Sequence, residues 1–257
     1  MIDERAVIHP TARLAKDVQV GPWTYIGEDV EIAEGTWIGP HVVINGPSKI
    51  GKNNKIYQFA SVGEAPQDRK YSDEKTILEI GDNNVIREYC TINRGTVQGG
   101  GVTKIGNNNL FMAYVHIAHD CIVHNNVIFA NNASLAGHVT VYDHAILSGF
   151  VGVHQFCHVG EYSFLAKGAL VTKDVPPYVL VAGTEKPTAY GLNVEGLRRH
   201  GFTQDAIAAL RKTYKIVYRK GLLIKDALSE LEAMIPEHPE VKLLRDFLEK
   251  SERGIVR

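Results

Sequence analysis

Several features that would identify other classes of protein are missing from this sequence. The 257-residue chain has no run of about 18 apolar residues and no N-terminal segment of basic then apolar residues. Its formal net charge is −1, so the molecule as a whole has no electrostatic preference for nucleic acid or for a membrane surface. It has only three cysteines and no CxxC pair, which favours small core residues in a reducing compartment. These absences predict a soluble, cytoplasmic protein that neither binds nucleic acid nor inserts stably into membranes.

The strand period of two and the helix period of 3.6 are also missing from most of the chain. An apolar residue returns instead at every sixth position between residues 105 and 176. The positions are Ile105, Phe111, Ile117, Val123, Phe129, Leu135, Val141, Leu147, Val153, Val159, Leu165 and Val171. The same spacing runs from Ile2 to Val62, and small or β-branched residues usually follow four positions later. A hexapeptide period is typical of a parallel β-helix, in which three hexads form one triangular coil. We therefore predict a mainly β fold.

The third position after each apolar residue has its own composition. It is usually Asn, Asp, Gly or His, the residues that best tolerate a positive φ, so we expect it to form the corner of each hexad. The positions with these residue types are Asp17, Asp29, Gly35, Asn53, Asn83, Asn108, Asp120, Asn126, Asn132, His138, His144, Gly168 and Asp174.

Two segments interrupt the repeat, at residues 65–75 and 98–101. Solenoids usually place insertions on one face, often the binding face, so both are candidate binding loops. The alternative is that they are tolerated surface loops, and the polar residues of the first are equally compatible with simple solvation.

Beyond Pro177 the period becomes helical. Thr203 is a suitable N-cap for a helix that reaches Gly221, and two further helices are predicted over 224–235 and 239–250. We therefore divide the chain into a β-helix over residues 1–190 and an α-helical domain over 191–257. Seven basic residues and one acidic residue lie between Arg198 and Lys220, which suggests an acidic partner or an ordinary solvated helix face.

The hexapeptide repeat brings reactive side chains together, because residues 18 apart stack in columns at the strand spacing of about 4.8 Å. One column contains His119, Gly137 and Gln155, and the next contains Asp120 and His138. His154 lies in a third column, and His116 just precedes the patch. Asp120 and His138 occupy corner positions where backbone conformation alone explains their choice, whereas His119 and His154 do not.

Such a patch supports proton transfer. Histidine titrates near neutral pH, Asp120 could hold the His119 ring, and the backbone N–H of Gly137 is free to face a developing oxyanion. No Ser or Cys stands in an evident relay, which favours direct attack by a bound hydroxyl or amine. A metal site of the hexapeptide carbonic anhydrase type is the competing hypothesis, although that family's ligand pattern is not reproduced.

The hexads and six local motifs together resemble the UDP-N-acetylglucosamine O-acyltransferases of lipid A biosynthesis over essentially the whole chain. The motifs are Ile56-Tyr57-Gln58-Phe59-Ala60-Ser61, Asn93-Arg94-Gly95-Thr96-Val97-Gln98-Gly99-Gly100-Gly101, His116-Ile117-Ala118-His119-Asp120-Cys121, Leu135-Ala136-Gly137-His138, Val153-His154-Gln155-Phe156 and Asn193-Val194-Glu195-Gly196-Leu197-Arg198-Arg199.

The resemblance implies a left-handed parallel β-helix, which is an exception to the usual right-handed crossover. It also implies a homotrimer with active sites between subunits. The implied reaction moves an (R)-3-hydroxyacyl group from acyl carrier protein to the 3-hydroxyl of UDP-N-acetylglucosamine, with no cofactor beyond the phosphopantetheine thioester of the donor. The nearest alternative is the related UDP-3-O-acylglucosamine N-acyltransferase, which carries an additional N-terminal domain before the hexads.

The resemblance also implies residue roles. His119 is the general base with Asp120 beside it, His138 assists, and the Gly137 N–H stabilises the oxyanion. Lys167 stands at about the place of a residue that limits acyl-chain length, and His200 replaces a second phosphate-contacting arginine. The implied sugar-nucleotide contacts are Gln67, Asp68, Lys70, His116, His154, Gln155, Asn193, Glu195 and Arg199.

Overall fold

The computed structural model describes residues 1–257, and the chain winds into a left-handed parallel β-helix followed by four α-helices. Three sheets form the sides of a triangular coil, and successive strands of the chain pass from one sheet to the next. The predicted fold class is therefore confirmed.

Sheet 1 has nine strands, sheet 2 has eight and sheet 3 has ten. Sheet 1 consists of Val7–Ile8, Tyr25–Ile26, Val43–Ile44, Ser61–Glu64, Thr91–Asn93, His116–Ile117, Ser134–Leu135, Gly152–Val153 and Leu170–Val171. Sheet 2 consists of Arg13–Leu14, Val30–Ile32, Ser48–Ile50, Ile77–Ile80, Val102–Ile105, Ile122–Val123, Thr140–Val141 and His158–Val159. Sheet 3 consists of Gln19–Val20, Trp37–Ile38, Lys55–Ile56, Val85–Ile86, Leu110–Phe111, Ile128–Phe129, Ile146–Leu147, Phe164–Leu165, Val179–Ala182 and Thr188–Leu192. We call the turns that follow sheets 1, 2 and 3 corners 1, 2 and 3.

The period of six follows from the size of the coil. Most strands contain two residues, of which the first points outward and the second points into the coil, as in the exactly parallel register of His116, Ser134 and Gly152 on sheet 1. The inward residues form one core of 43 buried side chains.

Cys90, Cys121 and Cys157 belong to this core and form no disulfide. Burial raises the pKa of Cys90 and Cys121 to about 12 and that of Cys157 to about 11, so none is a ready nucleophile.

The corner prediction holds at all the predicted positions except Asp17 and Asp174. Asp174 instead pairs in parallel with Ile255 near the C-terminus, which requires extended backbone. Several aromatic residues also adopt a positive φ at corners, although their residue type does not favour that conformation. At corner 3 five of them form one stack with ring centroids 4.8–5.3 Å apart. These five are Trp23, His41, Phe59, Tyr89 and Tyr114.

Both insertions leave the coil at corner 1, as expected for insertions that share one face. The first insertion, residues 65–76, lies between strands Ser61–Glu64 and Ile77–Ile80. The second insertion begins earlier than the predicted 98–101, because residues 94–101 all lie between strands Thr91–Asn93 and Val102–Ile105. It contains the 3₁₀ helix Val97–Gly99. Arg94 ties the two together, because its guanidinium donates to the Tyr71 hydroxyl at 3.1 Å.

The helices are α1 (Val194–Arg199), α2 (Gln204–Arg219), α3 (Ile224–Met234) and α4 (Val241–Lys250). The Thr203 hydroxyl caps α2 as predicted, by accepting from the Ala206 N–H at 3.1 Å. The short helix α1 is absent from our sequence analysis, and the last strand reaches Leu192, two residues past our domain boundary. None of the helices is long and apolar enough to cross a membrane.

Candidate active site

The site is built around a turn at corner 1. After the two-residue strand His116–Ile117, the chain turns through His119 and Asp120, and Asp120 takes a φ of 61°. This turn places the His119 Nδ1 2.7 Å from the Asp120 Oδ2. Because a carboxylate only accepts, Nδ1–H donates and the unprotonated Nε2 remains available as a base. The His119 side chain is 13% exposed and the Asp120 side chain 1%, so only the histidine can reach a substrate.

Asp120 is ionised and held in place despite its burial. Burial by itself would raise the pKa of this carboxyl, but hydrogen bonds from His119 and from the hydroxyl and N–H of Thr96 hold the pKa below its usual value. The positive charge that His138 can carry acts in the same direction. An ionised Asp120 stabilises the imidazolium that forms when His119 accepts a proton.

Gly137 lies directly above the His119 ring. A Cβ atom at residue 137 would stand 2.5 Å from the His119 Cε1 and 2.8 Å from its Nε2. The Gly137 N–H donates no hydrogen bond in the structure, whereas at corner 2 the N–H groups of Asp82 and Asn107, at the same position in the hexad, donate to side-chain oxygens. Pro10, Pro22 and Pro40, which have no N–H, occupy the same position in other coils. What distinguishes Gly137 is therefore that its free N–H lies beside the base without a side chain between them.

His138 completes the cluster from the same coil as Gly137. Its Nε2 lies 3.5 Å from the Asp120 Oδ2, and its ring packs edge-on against His119 and stacks on Phe156. Burial lowers the pKa of His138 more than the Asp120 carboxylate raises it. The carboxylate of Asp68 also acts on His138, which brings the first insertion to the site.

An apolar groove of about 500 Å³ runs across sheet 1, and its lining includes Ala136, the chain neighbour of Gly137. His116 and His154 stand at its polar end, and Leu170, 49% exposed, lies over Gly152 farther along. The His116 Nδ1 is fixed 2.7 Å from the Thr91 hydroxyl, and burial lowers the pKa of His116. A groove with small, apolar walls beside a general base is suited to an acyl chain.

The implied sugar-nucleotide contacts divide into two groups. Gln67, Asp68 and Lys70 lie in the first insertion, and with His116, His154 and Gln155 they belong to corner 1 or sheet 1. Asn193, Glu195 and Arg199 lie at corner 2, a full side of the triangle away.

At corner 2, helix α1 packs against the coil. Asn193 is buried, caps α1 and donates through Nδ2 to the Tyr162 carbonyl at 3.0 Å. Glu195 pairs with Arg198, whereas Arg199 forms no ion pair. The His200 ring centroid lies 4.5 Å from that of His144, so His200 packs against the coil at this corner.

Lys167 lies at corner 3 and does not line the groove on sheet 1. It is exposed, and its ammonium stands 5.9 Å from the centroid of the Phe150 ring. Within one chain, Lys167 therefore lies beside one edge of sheet 1, and His119 lies beside the other edge.

A metal ion is the alternative use of the cluster, since ligand atoms of His119, Asp120 and His138 lie within 4.8 Å of one another. However, Asp120 Oδ2 already accepts short hydrogen bonds from both His119 and Thr96. His119 would have to turn away from Asp120 to bind a metal through Nδ1. The hydrogen-bonding pattern favours a proton relay.

Thr91 and Thr96 are two site residues that our sequence analysis does not identify. Each contacts a functional residue 24 or 25 positions later in the chain, Thr96 with Asp120 and Thr91 with His116. The insertion at residues 94–101 makes these separations irregular, so the 18-residue column rule does not predict them.

The fold and the site together define a hexapeptide-repeat transferase, and the comparisons agree. Residues 29–64 and 103–137 match the family described as bacterial transferase hexapeptide (six repeats). Residues 174–256 match the second domain of UDP-N-acetylglucosamine O-acyltransferase.

Individual proteins match the whole chain. The acyl-[acyl-carrier-protein]–UDP-N-acetylglucosamine O-acyltransferase of Stutzerimonas stutzeri is 57% identical over 100% of this chain and 99% of its own length. The corresponding protein of Thiobacillus denitrificans is 56% identical with the same coverage. The crystal structure of UDP-N-acetylglucosamine O-acyltransferase from Moraxella catarrhalis superposes with a TM-score of 0.98 at 47% identity, covering 100% of this chain and 99% of that one. The present chain belongs to the UDP-N-acetylglucosamine O-acyltransferase family, which confirms the resemblance and makes it an acyltransferase.

Proposed function

We propose that this protein transfers an (R)-3-hydroxyacyl group from acyl carrier protein to the 3-hydroxyl of UDP-N-acetylglucosamine, the first step of lipid A biosynthesis. The observation that carries the proposal is the geometry of His119, Asp120 and Gly137 in a member of this family. A base held by a buried carboxylate stands beside a free backbone N–H, and an apolar groove on sheet 1 reaches Ala136, next to Gly137.

The reaction needs only groups that this site supplies. The His119 Nε2 removes the proton from the sugar 3-hydroxyl as the oxygen attacks the thioester carbonyl carbon, and the new C–O bond forms. The carbonyl oxygen becomes an oxyanion that the Gly137 N–H stabilises, while Asp120 stabilises the imidazolium. Collapse of the intermediate breaks the C–S bond, and the proton on His119 passes to the leaving phosphopantetheine thiol. No cofactor is required beyond the thioester.

The test is to incubate the purified protein with an (R)-3-hydroxyacyl donor on acyl carrier protein and with UDP-N-acetylglucosamine, and to follow the products by mass spectrometry. We expect the sugar nucleotide to gain one acyl group in a base-labile ester. Acylation only of UDP-3-O-acylglucosamine, as an amide, would identify the N-acyltransferase instead. Hydration of CO₂ that requires zinc would identify a carbonic anhydrase.

We propose further that the protein is a homotrimer whose neighbouring subunits share each active site. Within one chain, Arg199 lies at corner 2 and His119 at corner 1, so the two groups of implied contacts lie at different corners of the coil. Placing corner 2 of one subunit beside corner 1 of the next would join the two groups. Light scattering should give three times the chain mass of 28.4 kDa. A monomer that is fully active would contradict the proposal.

The exposed basic face of α2 fits a docking site for acyl carrier protein, which is strongly acidic. Arg211, Lys212 and Lys215 are exposed and form no ion pairs. Replacing all three by glutamate should raise the KM for the acyl donor and leave the KM for UDP-N-acetylglucosamine unchanged, because exposed charges act mainly on association. Salt should weaken donor binding by the parent more than by the variant. Equal donor KM values for both proteins at low salt would exclude this docking face.

Lys167 is proposed to limit the acyl chain. In a trimer the Lys167 stem can reach a groove between subunits and occupy its far end. A longer acyl chain would have to bury the lysine ammonium against hydrocarbon, which is costly, so a shorter acyl chain is favoured. Each methylene admitted into an apolar groove contributes about 0.8 kcal/mol, or about fourfold in specificity. Lys167→Gly should therefore shift the preference to longer acyl donors in a competition assay. Lys16→Gly serves as the control, because Lys16 is an exposed lysine at the same hexad position but lies at corner 2, near the N-terminal end of the coil. An unchanged preference would show that Lys167 is not the limiting residue.

A further inference from the structure

The second insertion, residues 94–101, closes over the carboxylate of Asp120. The Thr96 N–H donates to Asp120 Oδ1 at 2.7 Å, and the Thr96 hydroxyl donates to Oδ2 at 2.7 Å. Thr96 thus binds both oxygens of the carboxylate, in the manner of a bidentate donor. Its residue is 1% exposed, so it cannot contact a substrate itself.

The insertion also fixes the direction of the Thr96 hydroxyl. The Thr96 oxygen caps the 3₁₀ helix Val97–Gly99 by accepting from the Gly99 N–H at 3.1 Å. Because the Thr96 oxygen accepts this hydrogen bond, its hydroxyl hydrogen points to Asp120 Oδ2, the oxygen that also accepts from His119. The cap and the hydrogen bond to Asp120 therefore support each other.

Gly99 presses against the same carboxylate. A Cβ atom at this residue would lie 2.0 Å from the Asp120 Cγ and 2.2 Å from Oδ1, which leaves no room for a side chain. Because its φ is not positive, Gly99 is required here by this close approach and not by its backbone conformation. The backbone of Asp120 is also held, because its N–H donates at 2.8 Å to the hydroxyl of Thr103, a residue in the strand that follows the insertion.

From this geometry we infer that Thr96 is a positioning residue for catalysis, and that the second insertion serves to hold Asp120 in the orientation that His119 needs. The inference rests on the acyl transfer proposed above. Thr96 acts through Asp120 on His119, so its loss should appear in kcat and not in substrate binding.

The main test compares Thr96→Val with Thr96→Ser. Valine keeps the shape and the backbone N–H but removes the hydroxyl, so we expect kcat to fall about 10- to 100-fold with the KM for UDP-N-acetylglucosamine unchanged. Serine keeps the donor and should retain kcat to within about threefold. Thr36→Val is the matched control, because the Thr36 hydroxyl is buried and donates to the Gly51 carbonyl at 2.9 Å far from the site. It should leave kcat unchanged.

A second test separates positioning from folding of the insertion. In an Asp120→Ala background the carboxylate is absent, so Thr96→Val should change kcat by less than about twofold. Gly99→Ala should lower kcat in the parent, where its methyl group collides with the carboxylate, and should be tolerated in the Asp120→Ala background, where that space is vacant.

Each outcome has a defined meaning. Equal kcat for Thr96→Val and the parent, or equal losses for valine and serine, would overturn the inference. The inference would also be overturned if Thr96→Val lowered kcat by the same factor in the Asp120→Ala background as in the parent, because Thr96 would then act on folding alone. If the parent protein showed no acyl transfer, the proposed function would fail first, and the inference about Thr96 would fail with it. An active parent with an unaffected valine variant would overturn the inference alone.

Discussion

Replacing His119 by alanine is expected to lower kcat by about 10²- to 10⁴-fold, because the variant has no base to remove the proton of the attacking hydroxyl. No second group can substitute for it. His138 shares the same carboxylate but lies 3.5 Å from it, and its stacking on Phe156 fixes its ring in another direction. The three buried thiols have raised pKa values and point into the coil.

The measurement is single-turnover acyl transfer at saturating substrates, with the molar mass in solution as evidence that the assembly persists. His124→Ala is a suitable control, because His124 is a half-buried histidine of the next hexad whose ring stacks on Tyr142, away from Asp120. It should retain the activity of the parent. If His119→Ala kept more than about a tenth of the parent's kcat, another residue would have to be the base.

The hexapeptide period predicts the scaffold well because each coil repeats the same local requirement. Inward residues such as Ile117 and Leu135 fill the closely packed interior of the coil and are 0% exposed, which favours apolar side chains there. The column of His119 and Gly137 follows from the same regularity, and the structure places these two residues in contact. Periodicity therefore predicts both the fold and the centre of the site.

Irregular parts of the chain could not be predicted in this way. The contact between Thr96 and Asp120 spans an insertion whose path depends on long-range hydrogen bonds, such as that from Gly95 to the Ile77 carbonyl. Aromatic residues at corner 3 were missed for a different reason. A positive φ is unfavourable for Tyr89 or Phe59 in isolation, and it is compensated here by stacking on the aromatic neighbour in the next coil.

The position of helix α1 also depends on tertiary structure. Six residues are too few to form a stable helix alone, and α1 is held by the Asn193 cap and by burial of Leu197 against the helical domain. Consequently the sequence motif that contains Glu195 and Arg199 indicates a substrate contact without indicating at which corner it lies. Only the structure separates these residues from His119.

Gly137 contributes space as well as an N–H group, and the two contributions can be distinguished. Its φ lies outside the positive range, so alanine at this residue incurs no backbone strain and keeps the N–H. The added methyl group would nevertheless stand 2.5 Å from the His119 Cε1, closer than carbon atoms approach in proteins. Because the His119 Nδ1 is tied to Asp120, the ring cannot move away without lengthening that hydrogen bond.

We therefore expect Gly137→Ala to lower kcat by about 10²-fold or more, as a displacement of about 1 Å in a catalytic group does. Gly149→Ala is the matched control, since Gly149 occupies the same hexad position at corner 3 and its added Cβ would meet only the Asn131 carbonyl oxygen at 3.3 Å. Single-turnover rates for both variants, together with their thermal unfolding midpoints, make the comparison. A Gly137→Ala protein as active as Gly149→Ala would contradict this prediction. It would show that the His119 ring can accommodate a methyl group at residue 137 without losing its function as the base. A loss in Gly137→Ala alone, at an unchanged unfolding midpoint, would locate the effect in the placement of the base, because the N–H donor is retained in that variant.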